Sequence, residues 1–583
     1  MSLRAVAFVL AVLCCARHVK TSSCHDGCQV RVELTSGPIC GSVEVAENAT
    51  HYYSFQGIPY AKPPTGARRF AELEDCDPWV EPLLTIEEGP ACPQLDIIYG
   101  SIPVQKKGML EDCMYANVYV PESAHLNCTD NDDEGLPILV NIHGGGYQTG
   151  SGNSDLHGPE YLMYKGNVIV MSFNYRLNVF GFLSLDSEKI PGNNGLRDMV
   201  KFLKWVQKNA RAFGGNPKNV TLIGQSVGSA SVHLMTLTKA TEGLFQRGIM
   251  MSGTAIPMFF SASKTFAKYV ADLFLKAAGI TATDPDEIHQ KLIEMPLNDI
   301  MYANSIAQNL TGLTTFVPVV ESDHPGVTKI LDDEPIELIA KGRGSNIPLI
   351  AGFTNNEAVF FRRVAVYLNM LERVRQDNRV VMPLRLAYGL NASEAESIAD
   401  KIMDYYFSES LDMDKLLNSI SNLFFVYPTL KLAQVRSALG AAPLYLYEYS
   451  YESKNSMIKR ALWEQYQGAA HVEDLTFLFR TNTLMGDYVS FPPKDSDDHM
   501  KDWMTDFVLN FIRCNNPTCN NDTSSPWLPA DHTHLRLLSI AEPKVYKMTE
   551  LSDTQKSIVN FYDSVDPHTN KERIMNTTIM GGE

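Results

Sequence analysis

The apolar run Val220–Ile223 passes directly into Gly224-Gln225-Ser226-Val227-Gly228, and that pentapeptide into SASVHLMTL, a segment of helical composition. A strand, a tight turn and a helix in immediate succession require a sheet whose faces are covered by the following helices. The glycines let the backbone bend sharply and leave Ser226 Oγ exposed at the sheet edge. Other strands are expected at Ile138–Ile142, Val168–Phe173, Gly248–Met251, Leu349–Gly352 and Leu444–Tyr449. All read as continuous apolar runs rather than alternations. Between two of them, Leu196, Val200, Leu203, Val206 and Ala210 form one stripe of an amphipathic helix over 196–212, closed by Gly214, Gly215 and Pro217. The fold class expected is α/β with a mostly parallel central sheet. The spans 255–345 and 360–440 look helical and carry no clear site motif.

No Gly/Ser/Pro-rich linker divides the 583 residues, so one large domain is expected over 24–565, with a polar tail at 566–583. The net charge of −17 argues against nucleic acid as a partner, which would call for a basic surface. Met1–Arg4 carries one positive charge and Ala5–Ala16 is an apolar run of twelve, the pattern of a signal peptide over 1–22. No later stretch reaches the roughly 18 uninterrupted apolar residues of a membrane span, and the tail has no anchoring or retention signal. A secreted protein without a membrane anchor is expected.

Eleven cysteines less Cys14 and Cys15 of the leader leave nine, so at least one thiol is free or pairs with another chain. With no Cys-x-x-Cys and no nearby His pairs, neither metal nor other cofactor is expected, and export favours disulfides. Glycosylation sequons stand at Asn48, Asn127, Asn219, Asn309, Asn391, Asn521 and Asn576.

A serine hydroxyl is a poor nucleophile until a base takes its proton, and the developing oxyanion needs donors already in place. The donors are expected from His143-Gly144-Gly145-Gly146, straight after strand Ile138–Ile142, where no side chain blocks the approach. The N–H groups of Gly145, Gly146 and Val227 would form a three-donor hole. For the base, His471, His499, His532, His534 and His568 lie far enough downstream. His471 has the best setting, after Gly468-Ala469-Ala470 and before the apolar LTFLF. For the acid, Glu357 follows strand Leu349–Gly352 and falls between Ser226 and His471, in the order serine, acid, histidine.

Taken together these segments resemble the carboxylesterase/cholinesterase family, and within it the secreted insect carboxylesterases. The likeness runs through FQGIPYAKPPTGARRF (Phe55–Phe70), EDCMYANVYVP (Glu111–Pro121), the HGGG run and NYRLNVFGFLS (Asn174–Ser184). It continues through GNNGLRD (Gly192–Asp198), FGGNPKNVTLIGQS (Phe213–Ser226), the Glu357 loop and GAAHVEDLTFLF (Gly468–Phe479). The resemblance implies an α/β-hydrolase fold, small-molecule esters as substrates, the triad Ser226, Glu357 and His471, and a disulfide between Cys92 and Cys113. Non-catalytic adhesion or binding relatives tend to lose a triad member, and the adhesion forms add a membrane span; this chain keeps all three residues.

The departures bear on substrate. The family usually has Glu before the serine and Ala after it, where Gln225 and Val227 stand here. The acid is usually followed by Gly, and here by Ala358. The loop between Cys92 and Cys113 contains no Trp, so the aromatic cation site of acetylcholinesterases is missing. Gln225 is expected in the substrate pocket, and neutral, fairly apolar esters are expected as substrates. Juvenile hormone esterases resemble the Gly-Gln-Ser arrangement and the pattern Gly468, His471, Asp474, although Met199 departs from their usual Gln.

Overall fold

A computed structural model describes residues 27–99, 107–127, 135–256, 259–485, 495–519, 526–531 and 535–566. The proposed leader, nearly all of the tail, Cys24, Cys128, Asn521, Asn576, His532, His534 and His568 lie outside the described residues. Among those described, thirteen strands form one sheet: β1 (Val30–Leu34), β2 (Gly37–Val45), β3 (His51–Pro59), β4 (Leu83–Leu84), β5 (Tyr115–Pro121), β6 (Leu136–Ile142), β7 (Ile169–Phe173), β8 (Gly215–Gln225), β9 (Arg247–Met251), β10 (Leu349–Thr354), β11 (Leu444–Tyr449), β12 (Arg536–Ile540) and β13 (Lys547–Glu550). The order is β1-β2-β3-β5-β7-β6-β8-β9-β10-β11-β12-β13, with β4 beside β2. From β7 to β12 every neighbouring pair is parallel. The flanks are antiparallel, apart from the short β4.

The six strands expected from continuous apolar runs are the buried centre. Ile138, Leu139, Val140, Val220, Leu222 and Ile223 have no exposed surface, and burying each such side chain stabilises the fold by about 1.5–3 kcal/mol. The flanking strands follow another rule. In β1, Val30, Val32 and Leu34 point inward while Arg31 and Glu33 face water, an alternation that a search for continuous runs passes over.

The amphipathic helix ends as an α-helix at Asn209 and closes through a 3₁₀ turn over Ala210–Phe213. Its Phe202 stacks on Phe173 of β7 at 4.0 Å. Two segments that carry the family resemblance meet at a buried ion pair, Arg176 Nη2 to Asp198 Oδ1 at 2.6 Å.

The parallel register determines which loops meet. Ile142 pairs with Gly224, Gly224 with Met250, Met251 with Gly352, and Gly352 with Tyr447. The carboxyl ends of β6, β8, β9, β10 and β11 are therefore level, and the chain leaves all five on the same side. In open α/β sheets this edge is where ligands bind.

Candidate active site

Ser226 sits between β8 and the helix Val227–Leu237 with φ 60° and ψ −128°. A non-glycine residue there costs on the order of 1–3 kcal/mol and persists only when its surroundings hold it. They do so tightly. The Ser226 N–H donates to Met251 O at 2.8 Å. A Cβ on Gly224 would lie 2.3 Å from the carbonyl carbon of Gly228, and one on Gly228 would lie 2.1 Å from Ile142 O. Only glycine fits either end of this turn.

Glu357 and His471 arrive from the loops after β10 and β11, which are laced together. The Asn356 N–H donates to Ala469 O at 3.0 Å and that of His471 to Glu357 O at 3.1 Å. The Ala469 N–H donates to Asn355 Oδ1 at 2.8 Å. The side chains then meet, with His471 Nδ1 2.5 Å from Glu357 Oε2. An ionised carboxylate only accepts, so Nδ1 carries the proton and Nε2 offers its lone pair. The other carboxylate oxygen, Oε1, accepts from Ser252 Oγ at 2.6 Å and from the Thr354 N–H at 2.7 Å. Ser252 was not singled out in the sequence, yet it follows β9 directly at the carboxyl edge of the sheet, which is the signal that could have found it.

The structure thus brings Ser226, Glu357 and His471 into one site. His499 lies elsewhere, on the helix Ser496–Cys514. His471 Nε2 does not bond Ser226 Oγ; its partner is Gln225 Nε2 at 3.0 Å. Gln225 lines the pocket as expected, but its amide is committed to the histidine. Phe425, Phe361 and Phe360 surround the imidazole, their centroids 4.6, 5.3 and 5.9 Å away. On the same loop, burial raises the Asp474 carboxyl to about 6 against the hydrogen bond it accepts from Tyr447 Oη at 2.7 Å. Burial likewise raises Glu473 to about 7, where Ser456 and Tyr466 hold it.

Gly145 and Gly146 lie on the pocket wall beside Ser226. Among the described residues no backbone carbonyl accepts from either N–H. Val227 opens its helix, where the N–H has no intrahelical partner. All three predicted donors thus remain unspent. The imidazole of His143, at the head of the glycine run, stacks on Tyr175 at 4.3 Å, and burial lowers its pKa to about 3.

The pocket holds a cavity of about 40 Å³. The two long helical spans, which carry no clear site motif, supply Phe259, Phe260, Leu313, Phe360, Phe361 and Phe424 to its wall. These residues carry no local motif, and tertiary folding alone assembles them. Phe259 and Phe424 stack at 3.8 Å, and both also line a second chamber of about 170 Å³. Cys92 is bonded to Cys113, closing the loop that brings Ile98 and Tyr99 to the pocket. Bridges also join Cys28 to Cys40 and Cys514 to Cys519, and Cys76 is free. Asn48, Asn127, Asn309 and Asn391 are exposed and Asn219 half-buried. No group of three or more His, Cys, Asp or Glu among the described residues is arranged to hold a metal ion, and no described helix is long and apolar enough to cross a membrane.

A sheet of this order with this edge defines a class, and comparison with known proteins agrees. Residues 28–559 match the model of the carboxylesterase family, and the chain belongs to that family. It has the α/β-hydrolase fold and is a carboxylesterase. It is 44% identical over 535 residues to the juvenile hormone esterase of Heliothis virescens, covering 92% of this chain and 94% of that one. The crystal structure of juvenile hormone esterase from Manduca sexta, with OTFP covalently attached, superposes with a TM-score of 0.88 at 46% identity, over 92% of this chain and 99% of that one. A carboxylesterase of Geobacillus stearothermophilus superposes at 0.71 with 26% identity, over 91% and 100%.

Proposed function

We propose that the protein hydrolyses neutral, fairly apolar carboxylic esters through an acyl-Ser226 intermediate, and that it is secreted. The observation that carries the mechanism is the 2.5 Å contact of His471 Nδ1 with Glu357 in the pocket that also holds Ser226. In the first half-reaction His471 Nε2 turns from Gln225 to Ser226 Oγ and takes its proton as the oxygen attacks the ester carbonyl. The carbonyl oxygen becomes an oxyanion received by the N–H groups of Gly145, Gly146 and Val227. The imidazolium, stabilised by Glu357, returns the proton to the departing alkoxide. Water then repeats the sequence on the acyl-enzyme and releases the acid. The apolar wall, to which a loop without Trp contributes Ile98 and Tyr99, supports the preference for uncharged esters. Secretion rests on the leader at 1–22, with glycans expected at the described sequons and at Asn521 and Asn576.

The test is stoichiometric labelling of Ser226 by an organophosphate, followed by turnover of a chromogenic short-chain ester. Ser226→Ala is expected to lower kcat by about 10⁴–10⁶-fold with the fold intact. Activity within tenfold of wild type in a clean preparation removes Ser226 from the mechanism.

The identities of 44% and 46% to two juvenile hormone esterases favour a second, narrower reading, that juvenile hormone is the physiological ester. Comparing kcat/KM for that hormone with kcat/KM for p-nitrophenyl acetate decides it. The narrower reading fails if the hormone is the poorer substrate.

A further inference from the structure

The buried amide of Gln225 occupies the nitrogen of His471 that the expected mechanism needs for Ser226. It lies next to the nucleophile in sequence, is 2% exposed, and places Nε2 3.0 Å from His471 Nε2. Because Glu357 takes the Nδ1 proton, Nε2 of the neutral imidazole is an acceptor, and the amide N–H₂ is the matching donor. The amide oxygen lies on the other side, toward Gly144, 3.1 Å from where a Cβ would stand.

Resting on the triad proposed above, we infer that Gln225 is a positioning residue that holds His471 as a neutral base between turnovers. Its amide gives the Nε2 lone pair a partner until a substrate draws Ser226 Oγ into its place. An imidazolium would point an N–H at the same amide N–H₂, so this contact favours the unprotonated ring. Carboxylate at position 225 would reverse the preference, because it accepts only.

The other groups that bear on this ring do not substitute for the amide. Glu357 meets it from the β10 loop at Nδ1, the opposite nitrogen. Asp474, on the loop of His471 itself, is held by Tyr447 of β11, and Glu473 by Ser456 and Tyr466. Tyr99 reaches the pocket from the disulfide loop, and burial raises its phenol well above the usual range. Phe360, Phe361 and Phe425 cover the ring without a titratable group.

The experiment is the pH dependence of kcat/KM on p-nitrophenyl acetate, an uncharged ester, for wild type, Gln225→Met and Gln225→Glu. Met keeps the length and removes the donor, and its acid limb is expected about half a pH unit higher, the worth of one hydrogen bond lost from the neutral form. Glu is expected to raise it by about one unit or more. Asp474 titrates alike in all three, so the differences isolate position 225. The rate of Ser226 labelling by an organophosphate, followed over the same pH range, reads the same ionisation in a variant too slow to turn over. An acid limb in Gln225→Met within 0.2 unit of wild type, by both measurements, overturns the inference and leaves the triad standing. Loss of labelling in Ser226→Ala together with unchanged ester turnover removes the triad itself.

Discussion

Ser252 Oγ donates to Glu357 Oε1 at 2.6 Å, joining the end of β9 to the acid on the loop after β10. Ser252 takes φ 56° to do so, and its own N–H donates to Gly352 O at 2.9 Å. The carboxylate is thus oriented from the far side by a residue that never meets the imidazole. A hydrogen bond to a charged group contributes roughly 1.5–3 kcal/mol. Ser252→Ala is expected to lower kcat about tenfold with the circular dichroism spectrum unchanged. A loss under twofold would show that Thr354 and His471 alone fix Glu357.

A second prediction concerns charge in the substrate. Two unit charges about 6 Å apart at an effective dielectric near 20 interact by roughly 3 kcal/mol. With Gln225 in place of Glu, and no Trp in the loop between Cys92 and Cys113, that attraction is gone. The uncharged 3,3-dimethylbutyl butyrate should be hydrolysed far better than butyrylcholine, and Gln225→Glu should move the ratio of kcat/KM values about tenfold toward the cation. A wild type that prefers butyrylcholine contradicts the electrostatic reading.

The Phe259–Phe424 stack, with Leu313 and Thr314, lines both the pocket beside Ser226 and the larger chamber next to it. Phe424→Ala should join the two. The ratio of kcat/KM for p-nitrophenyl decanoate over the acetate is expected to rise about tenfold. Removing a core phenylalanine also destabilises by about 3–5 kcal/mol, so the melting temperature should fall. An unchanged ratio would mean that long acyl chains run elsewhere.

Burial raises Asp474 to about 6 from 3.8, so between those values the folded protein keeps a proton that the unfolded chain has released. Stability from this group therefore falls as pH rises from about 4 to 6 and stays lower above. Asn at 474 has no such ionisation and can still accept from the Leu475 N–H, which Asp474 Oδ1 accepts at 3.0 Å. The melting temperature of Asp474→Asn relative to wild type should rise by about 2 °C between pH 4.5 and pH 7.5. A difference that does not change with pH would place the Asp474 titration outside this range.

Much of the site was legible because its chemistry is written locally. The turn at Ser226 needs glycines at 224 and 228, the proposed oxyanion donors need bare backbone at 145 and 146, and the order of serine, acid and histidine points to Glu357 and His471 as the proposed partners. What was not legible depends on distant partners. Phe259 and Phe424 lie 165 residues apart in a chain that gives neither any local distinction. Ser252 looks like any small residue at a strand end until β10 is laid beside it. Strand β1 escaped notice for a different reason, since Arg31 and Glu33 face water and interrupt the apolar run. Gln225 was read from its missing charge, whereas its hydrogen bond to His471 appears only once the loop after β11 has folded back.

The bond between Cys92 and Cys113 has a bearing on how such an enzyme changes over generations. Both cysteines are 1% exposed, so the bridge is shielded by the protein around it. Ile98 and Tyr99 lie on a segment that the bridge ties covalently, in addition to the packing of Tyr99 on Phe360 at 6.0 Å. A lineage under pressure to act on a new ester has, in that tethered segment, a place to vary.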